Sequence, residues 1–341
     1  MLFHQLRAGG CLSYLIGCEA TRAAALIDPE TSLVDHYLSL AAKDGLRIHS
    51  LIDTHTHADH FSASPALARQ LNVPVVMHRE SPAPFVDMHV DDGEMIVLGD
   101  LRLTVMHTPG HTIDSMSVFV EDRVFTGETL LIGGTGRTDL PTGDPDMLYD
   151  SLFNGLLDLD DEVLVFPAHD YKGREFSTVG KERAENPRLA HTERASFVEL
   201  MKQLDIDAPT HLTEALRTNR SGGRTVSQLI ADAREKVPFM SMAEVNKRIG
   251  SNSDDMVLLD VREKDAFDAG HVPGALHIPR GQLELRVNGE LTDPSRRIVV
   301  YCELGVISTL AAATLKDMGF DRAVALDGGF KAWSEAGYPQ E

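Results

Sequence analysis

The chain is organised around residues 54–60, whose sequence is Thr54-His55-Thr56-His57-Ala58-Asp59-His60. The apolar run before them ends at Asp53 and predicts a buried strand. Ser64 and Pro65 follow, in the order typical of the N-cap and the first position of a helix. Three imidazoles and a carboxylate are therefore expected on a loop at the carboxyl end of a strand. Because neutral imidazole is the commonest metal ligand in proteins, these residues predict a metal site.

Further candidate ligands occur downstream, each after a predicted strand. His111 lies in His-Thr-Pro-Gly-His-Thr (107–112), Glu128 in Phe-Thr-Gly-Glu-Thr (125–129) and His169 in Phe-Pro-Ala-His-Asp-Tyr (166–171). Residues 115–120 and 123–126 predict a hairpin in the same region. Together with residues 54–60, these motifs resemble the metallo-β-lactamase superfamily. The resemblance implies an α/β fold, the αββα sandwich, with ligands at successive strand ends.

Composition limits the possible functions. A chain of 341 residues with 43% hydrophobic content is long enough for two domains with their own cores. The formal net charge of −20 argues against nucleic acid or an anionic membrane as a partner. We expect no membrane span, because no long apolar run is present, and no signal peptide. A homodimer remains open.

The chain contains three cysteines, Cys11, Cys18 and Cys302, and they do not form a disulfide framework. A reducing compartment, the cytoplasm, is the expected location. Cys11 and Cys18 are expected to be packing or turn thiols without a chemical role.

Residues 133–140, Gly-Gly-Thr-Gly-Arg-Thr-Asp-Leu, narrow the resemblance. This run is similar to the signature of persulfide dioxygenases, and the similarity extends over residues 2–223. Members of that family oxidise glutathione persulfide with O2 to sulfite and glutathione, using one ferrous ion. The resemblance therefore implies Fe(2+), one per chain, with Zn2+ as the alternative metal.

The family's iron ligands carry over to His55, His111 and Glu128, where the family commonly has Asp in place of Glu128. Such a facial triad leaves open positions for a persulfide and O2. The resemblance also implies a role for four further residues. They either orient the ligands and bound water or, as in hydrolase relatives, hold a second metal ion; they are His57, Asp59, His60 and His169. Asp59, His60 and His169 are also candidate catalytic residues. Arg137, Tyr171 and Arg188 are the candidates for binding the glutathione half of the substrate.

A second domain follows a change in sequence character. We expect residues 1–224 to form the metallo-β-lactamase-fold domain, 225–238 a linker region and 239–341 the second domain. The second domain contains Val-Leu-Leu-Asp-Val-Arg-Glu (257–263) and Leu-Asp-Gly-Gly-Phe-Lys-Ala-Trp (326–333), and it resembles a rhodanese, a smaller α/β fold.

Cys302 is the expected nucleophile of this second domain. It opens a loop, residues 302–307, between a buried strand and a helix, where backbone N–H groups and the helix N-terminus stabilise a thiolate. Many rhodaneses carry Arg in this loop, but Glu303 and Ile307 stand in positions where basic residues are frequent. We therefore expect weak binding of thiosulfate.

Both resemblances concern sulfane sulfur, so they predict one fused enzyme. The rhodanese domain would convert thiosulfate and glutathione into glutathione persulfide and sulfite, or run in reverse. Two other classes stay open. One is a dinuclear zinc hydrolase of a glutathione thioester, like glyoxalase II, and the other is a non-catalytic persulfide carrier or sensor.

Overall fold

A computed structural model describes residues 1–204, 212–250, 256–293 and 295–341. The chain divides into two compact units, Met1–Gly223 and Arg224–Glu341. The segment predicted as a linker region is mostly the helix Val226–Lys236, which groups with the second unit. Within the described ranges, no helix is long and apolar enough to cross a membrane.

The first unit contains a sheet of six strands that follow one another in chain order. They are β1 (Leu2–Ala8), β2 (Cys11–Gly17), β3 (Ala23–Ile27), β4 (Arg47–Ile52), β5 (Val75–His78) and β6 (Met88–Val90). From β3 to β6 the strands are parallel. Every residue of β3 is buried, as expected for a strand covered on both faces.

A second six-stranded sheet faces the first, in the order β14-β13-β10-β9-β8-β7. In chain order its strands and a small separate pair, β11 and β12, are β7 (Met95–Leu98), β8 (Leu101–His107), β9 (Met116–Val120), β10 (Arg123–Gly127), β11 (Leu130–Leu131), β12 (Gly134–Thr135), β13 (Leu164–Pro167) and β14 (Ser177–Thr178). The predicted hairpin is confirmed, because β9 and β10 pair antiparallel. β10 and β13 are parallel, so both end at the same edge of the sheet.

Helices cover the outer faces of both sheets. They are α1 (Val34–Lys43), α2 (Ser64–Leu71), α3 (Pro145–Phe153), α4 (Val179–Glu185) and α5 (Arg194–Lys202). A sixth helix, α6 (Leu212–Ser221), contacts the loop after β4, where Asn219 Nδ2 donates to the carbonyl oxygens of His57 and His60. Tyr37 of α1 and Leu67 of α2 pack on the first sheet, while Leu148 of α3 and Phe197 of α5 pack on the second. A third apolar cluster joins the two sheets' inner faces. The αββα prediction is therefore confirmed.

One local prediction, the N-cap of α2, was wrong. Ala63 occupies the N-cap position without a side-chain cap, and Ser64 is the first helical residue. The Ser64 hydroxyl instead donates to Asp53 Oδ1 at 2.7 Å, because that buried carboxylate requires donors.

The second unit is a five-stranded parallel sheet in the order β15-β19-β18-β16-β17, with an apolar cluster on each face. Its elements are α7 (Val226–Lys236), β15 (Phe239–Met240), α8 (Met242–Gly250), β16 (Met256–Asp260), α9 (Lys264–Asp268), β17 (Leu276–His277), α10 (Leu283–Glu290), β18 (Arg297–Tyr301), α11 (Val306–Asp317), β19 (Ala323–Leu326) and α12 (Gly329–Glu335). Cys302 directly follows β18. The helix begins at Val306, so the end of the predicted six-residue loop is already the first turn of α11.

Candidate metal centre

The carboxyl ends of β4, β8, β10 and β13 bring the candidate ligands to one edge of the sandwich. His55 follows β4, His111 follows β8, and Glu128 comes directly after β10. One ligand atom from each of these three residues lies within 4.8 Å of the others, close enough to share a metal ion. The structure thus groups the three residues predicted to hold iron.

His55 is oriented by a chain of two buried side chains. The Thr54 hydroxyl donates to Asp28 Oδ2 at 2.9 Å, so its oxygen can only accept at its 3.0 Å contact with His55 Nδ1. His55 Nδ1 therefore carries the proton and Nε2 carries the lone pair. Nε2 is buried and has no hydrogen-bond partner among the described residues. A buried nitrogen of this kind fits a metal ligand.

His111 is oriented in the same way by a backbone carbonyl. Its Nδ1 donates to the carbonyl oxygen of Arg137 at 2.9 Å, which leaves Nε2 3.2 Å from Glu128 Oε2. Gly136 allows His111 and Glu128 to lie this close to the backbone of residue 136. A Cβ at that position would lie 2.0 Å from the Glu128 carbonyl oxygen and 3.0 Å from His111 Cβ. Within the 133–140 signature, position 136 therefore requires glycine because it packs against the metal site.

The protonation states suit metal binding. Burial and the neighbouring imidazoles of His57 and His111 lower the pKa of His55 well below its usual value, so this ring is neutral. Burial alone would raise the pKa of the Glu128 carboxyl, but His111 and His169 outweigh it and hold that pKa well below its usual range. The His55 imidazole and the Glu128 carboxylate are thus in the forms that a divalent cation binds, and His111 Nε2 lies 3.2 Å from that carboxylate. This donor set fits iron or zinc.

His169 lies between two carboxylates. Its Nε2 is 2.5 Å from Asp59 Oδ2, and its Nδ1 is 2.5 Å from Glu128 Oε1, an ion-pair contact without the direction of a good hydrogen bond. Burial would lower the pKa of His169, but Glu128 and Asp59 raise it well above the usual value. His60 behaves similarly: burial lowers its pKa, whereas contacts with Asp59 and Cys11 raise it to about 10. Both rings favour the protonated form.

Cys11 lies in a cluster with Asp59, His60 and His169, although it was predicted to be a packing thiol. Its Sγ lies 3.1 Å from His169 Nε2 and 3.8 Å from Asp59 Oδ2, and its backbone forms an isolated bridge with His169. The sequence contained no motif that joins residues 11 and 169. In contrast, His57 separates from the cluster, because its Nε2 contacts Asp28 Oδ1 at 3.2 Å.

Asp28 is a second residue that the sequence analysis missed. Besides its contacts with the Thr54 hydroxyl and His57, the Asp28 carboxylate accepts the backbone N–H of Thr54 at 2.7 Å. Burial raises the pKa of Asp28 to about 6. Its position was a usable signal, because it follows the buried strand β3, as residues 54–60 follow β4.

The candidate substrate-binding residues lie near the site but are engaged with the protein. Arg137 pairs with Asp139 through Nε and the second terminal nitrogen, at 2.6 Å each. Arg188 is half-buried and donates to the Thr135 carbonyl oxygen at 2.5 Å. Tyr171 is 81% exposed, and its ring stacks beside His169 with the centroids 5.8 Å apart. Of the three side chains, that of Tyr171 is the most accessible to a ligand.

In the second unit, Cys302 has the surroundings expected of a nucleophile. It is 4% exposed, and its Sγ accepts the backbone N–H of Ser308 at 3.3 Å, within the first turn of α11. The carbonyl groups of Cys302 and Glu303 accept the N–H groups of Phe330 and Lys331 at the start of α12. The loop is thereby fixed between two helices.

Comparison with known proteins defines the class. Residues 6–169 match the metallo-beta-lactamase superfamily, and residues 241–336 match the rhodanese-like domain. A solved metallo-beta-lactamase from Staphylococcus aureus subsp. aureus COL has the same fold over 96% of this chain and 98% of its own, at 24% identity and a TM-score of 0.62.

Two relatives identify the family within this superfamily. The human mitochondrial persulfide dioxygenase ETHE1 is 36% identical over 214 residues, which is 62% of this chain and 84% of the relative. The structure of ETHE1 from Myxococcus xanthus is 42% identical with a TM-score of 0.64, and the match covers 66% of this chain and all of that one. The chain therefore belongs to the persulfide dioxygenase family, extended by a rhodanese-like domain. It is a persulfide-processing enzyme, and its family implies a bound metal ion.

Proposed function

We propose that the first unit oxidises glutathione persulfide with O2 and water to glutathione, sulfite and two protons, using one ferrous ion bound by His55, His111 and Glu128. The grouping of these three ligand atoms, with His169 placed between two carboxylates, carries the proposal. A ferrous ion would supply the one-electron chemistry with O2 that protein side chains lack.

The chain's own residues hold the site in shape. Thr54 and the carbonyl of Arg137 fix the tautomers of His55 and His111. His169 forms ion-pair contacts with Glu128 on one side and Asp59 on the other, which favours one fixed orientation of each carboxylate. His60 and His169, whose pKa values are raised by the neighbouring carboxylates, would supply protons to the products.

The alternative is a dinuclear zinc hydrolase whose second metal is held by Asp59, His60 and His169. The observation that favours it is the buried Nε2 of His60, which has no hydrogen-bond partner in the part of the chain that the structure describes. Against it, both ring nitrogens of His169 lie 2.5 Å from carboxylate oxygens, so a second cation would have to displace an existing ion pair. At the proposed mononuclear site the corresponding contact, between His111 Nε2 and Glu128 Oε2, is longer, at 3.2 Å.

We further propose that Cys302 transfers sulfane sulfur between thiosulfate and glutathione, in either direction. Its thiolate would take the outer sulfur of thiosulfate, release sulfite, and pass the sulfur to the glutathione thiol. A tether between two such activities raises the effective concentration of the shared persulfide to roughly millimolar. The partners would then be glutathione, glutathione persulfide, thiosulfate or sulfite, and O2.

Two variants test the proposal in the full chain. We expect Cys302→Ser to abolish sulfur transfer while O2 uptake with preformed glutathione persulfide stays unchanged. His111→Ala should abolish O2 uptake and metal binding but spare sulfur transfer. If Cys302→Ser leaves sulfur transfer intact, the second unit has the rhodanese fold without its chemistry.

A further inference from the structure

The loop that carries Cys302 exposes aliphatic side chains beside the nucleophile. Leu304 is 63% exposed and Ile307 is 50% exposed. Single exposed aliphatic residues are ordinary on protein surfaces, but these two follow the expected nucleophile by two and five positions. Cys302 itself is only 4% exposed, so the protein covers most of its surface.

The charge around the loop disfavours anions. Residues 302–307 contain no Lys or Arg. Arg262 contacts the loop, with one terminal nitrogen 3.2 Å from Glu303 Oε2, but its Nε and its other terminal nitrogen already bind the buried Asp260 carboxylate at 2.7–3.1 Å. One guanidinium therefore faces two carboxylates, and the three groups together carry a net negative charge. Thiosulfate, a dianion, is repelled by this arrangement.

We infer that Cys302 takes its sulfur from a small organic persulfide whose carbon chain is aliphatic and uncharged near the sulfur. Leu304 and Ile307 bind that chain, and Glu303 selects against anionic donors. The inference rests on the proposed sulfur transfer at Cys302 and replaces thiosulfate as its preferred donor.

The transfer step is balanced without an oxidant or a reductant. The Cys302 thiolate attacks the outer sulfur of R–S–SH and forms a new S–S bond. The S–S bond of the donor breaks, and R–S⁻ leaves with the electron pair. The proton stays on the transferred sulfur, so the products are Cys302 persulfide and the thiolate R–S⁻.

Matched donors test the specificity in the full chain. Thiosulfate, propyl persulfide and carboxyethyl persulfide are each reacted with the enzyme, and the gain of one sulfur atom at Cys302 is followed by mass spectrometry. The Cys302→Ser protein corrects for the other thiols. Propyl persulfide should react fastest, about fivefold faster than carboxyethyl persulfide, because that donor adds a carboxylate near Glu303. From methyl to ethyl to propyl persulfide, the rate should rise by up to about fourfold per methylene.

Variants assign the effect to the named side chains. In Leu304→Ser, the reaction rate should no longer rise with the chain length of the donor. In Glu303→Gln, the rate with carboxyethyl persulfide should become close to the rate with propyl persulfide. Leu285→Ser is the matched control, because Leu285 is 87% exposed on α10, and it should change neither pattern. The inference is overturned if thiosulfate or carboxyethyl persulfide reacts fastest. If no donor modifies Cys302, the proposed sulfur transfer itself fails.

Discussion

Replacing Thr54 by valine removes the hydroxyl that joins Asp28 to His55 and keeps nearly the same side-chain volume. The hydroxyl lies 2.9 Å from Asp28 Oδ2 and 3.0 Å from His55 Nδ1. Without it, His55 loses the acceptor that fixes its proton on Nδ1 and its lone pair on Nε2. We expect Thr54→Val to weaken metal binding although Thr54 is not a ligand.

The size of the effect follows from the contacts that are lost. Removing a hydrogen-bond partner of a metal-binding histidine typically costs about 10–100-fold in metal affinity, or roughly 1.4–2.7 kcal/mol. Asp28 keeps the backbone N–H of Thr54 at 2.7 Å but loses its second donor from that residue. Because the carboxylate is buried, the free energy of unfolding of the variant should also be lower by about 1–3 kcal/mol.

The assay is a competition between the protein and a chromophoric chelator for Fe(II) under anaerobic conditions, with urea unfolding measured in parallel. Thr309→Val is the control, because its buried hydroxyl donates to the Gly305 carbonyl oxygen at 2.7 Å in the other unit. The control should lose stability and bind metal normally. If Thr54→Val binds Fe(II) as tightly as the parent protein, the Asp28–Thr54–His55 chain does not orient the ligand.

Three further predictions concern single side chains. Glu128→Asp should keep metal and activity, because only one methylene is lost, whereas Glu128→Ala should lose the metal in elemental analysis. Arg137→Ala and Arg188→Ala should each raise the KM for glutathione persulfide by an amount equivalent to about 1.5–3 kcal/mol; an unchanged KM in both would remove them from the binding site. Burial would raise the pKa of Asp170, but hydrogen bonds from Arg174 lower it, so its stabilisation is present above the unfolded pKa of about 3.9 and is lost as pH falls. Asp170→Asn should therefore destabilise the protein at neutral pH, with a difference that shrinks below pH of about 4 in urea titrations.

The sequence predicted the ligand-bearing loops because each one is encoded locally. Residues 54–60, His111, Glu128 and His169 all follow apolar runs that form strands, and strand ends at one sheet edge place side chains together. The hairpin of β9 and β10 followed from the same periodicity, whereas the two-sheet fold was expected from the family resemblance.

Which contacts the supporting residues make with those ligands could not be predicted, because these contacts depend on long-range pairing. Cys11 reaches His169 across 158 positions through a β-bridge between strand ends. Asp28 reaches Thr54 only because β3 and β4 lie side by side in the sheet. Ser64 was expected to cap a helix, but the burial of Asp53, which no local pattern shows, recruits its hydroxyl.

In the second unit, the absence of Arg from residues 302–307 was visible in the sequence. The pairing of Arg262 with Glu303 was not, because β16 and β18 bring them together across 41 positions. The exposure of Leu304 also required the structure, since an apolar residue after a buried strand is normally expected to be buried.

The central claim is one iron ion per chain at a site that consumes O2. The most direct measurement combines metal analysis of the active protein with O2 uptake on addition of glutathione persulfide. We predict one iron per chain and one O2 consumed for each sulfite formed. Two zinc ions per chain, with no O2 uptake and with hydrolysis of a glutathione thioester, would contradict the account.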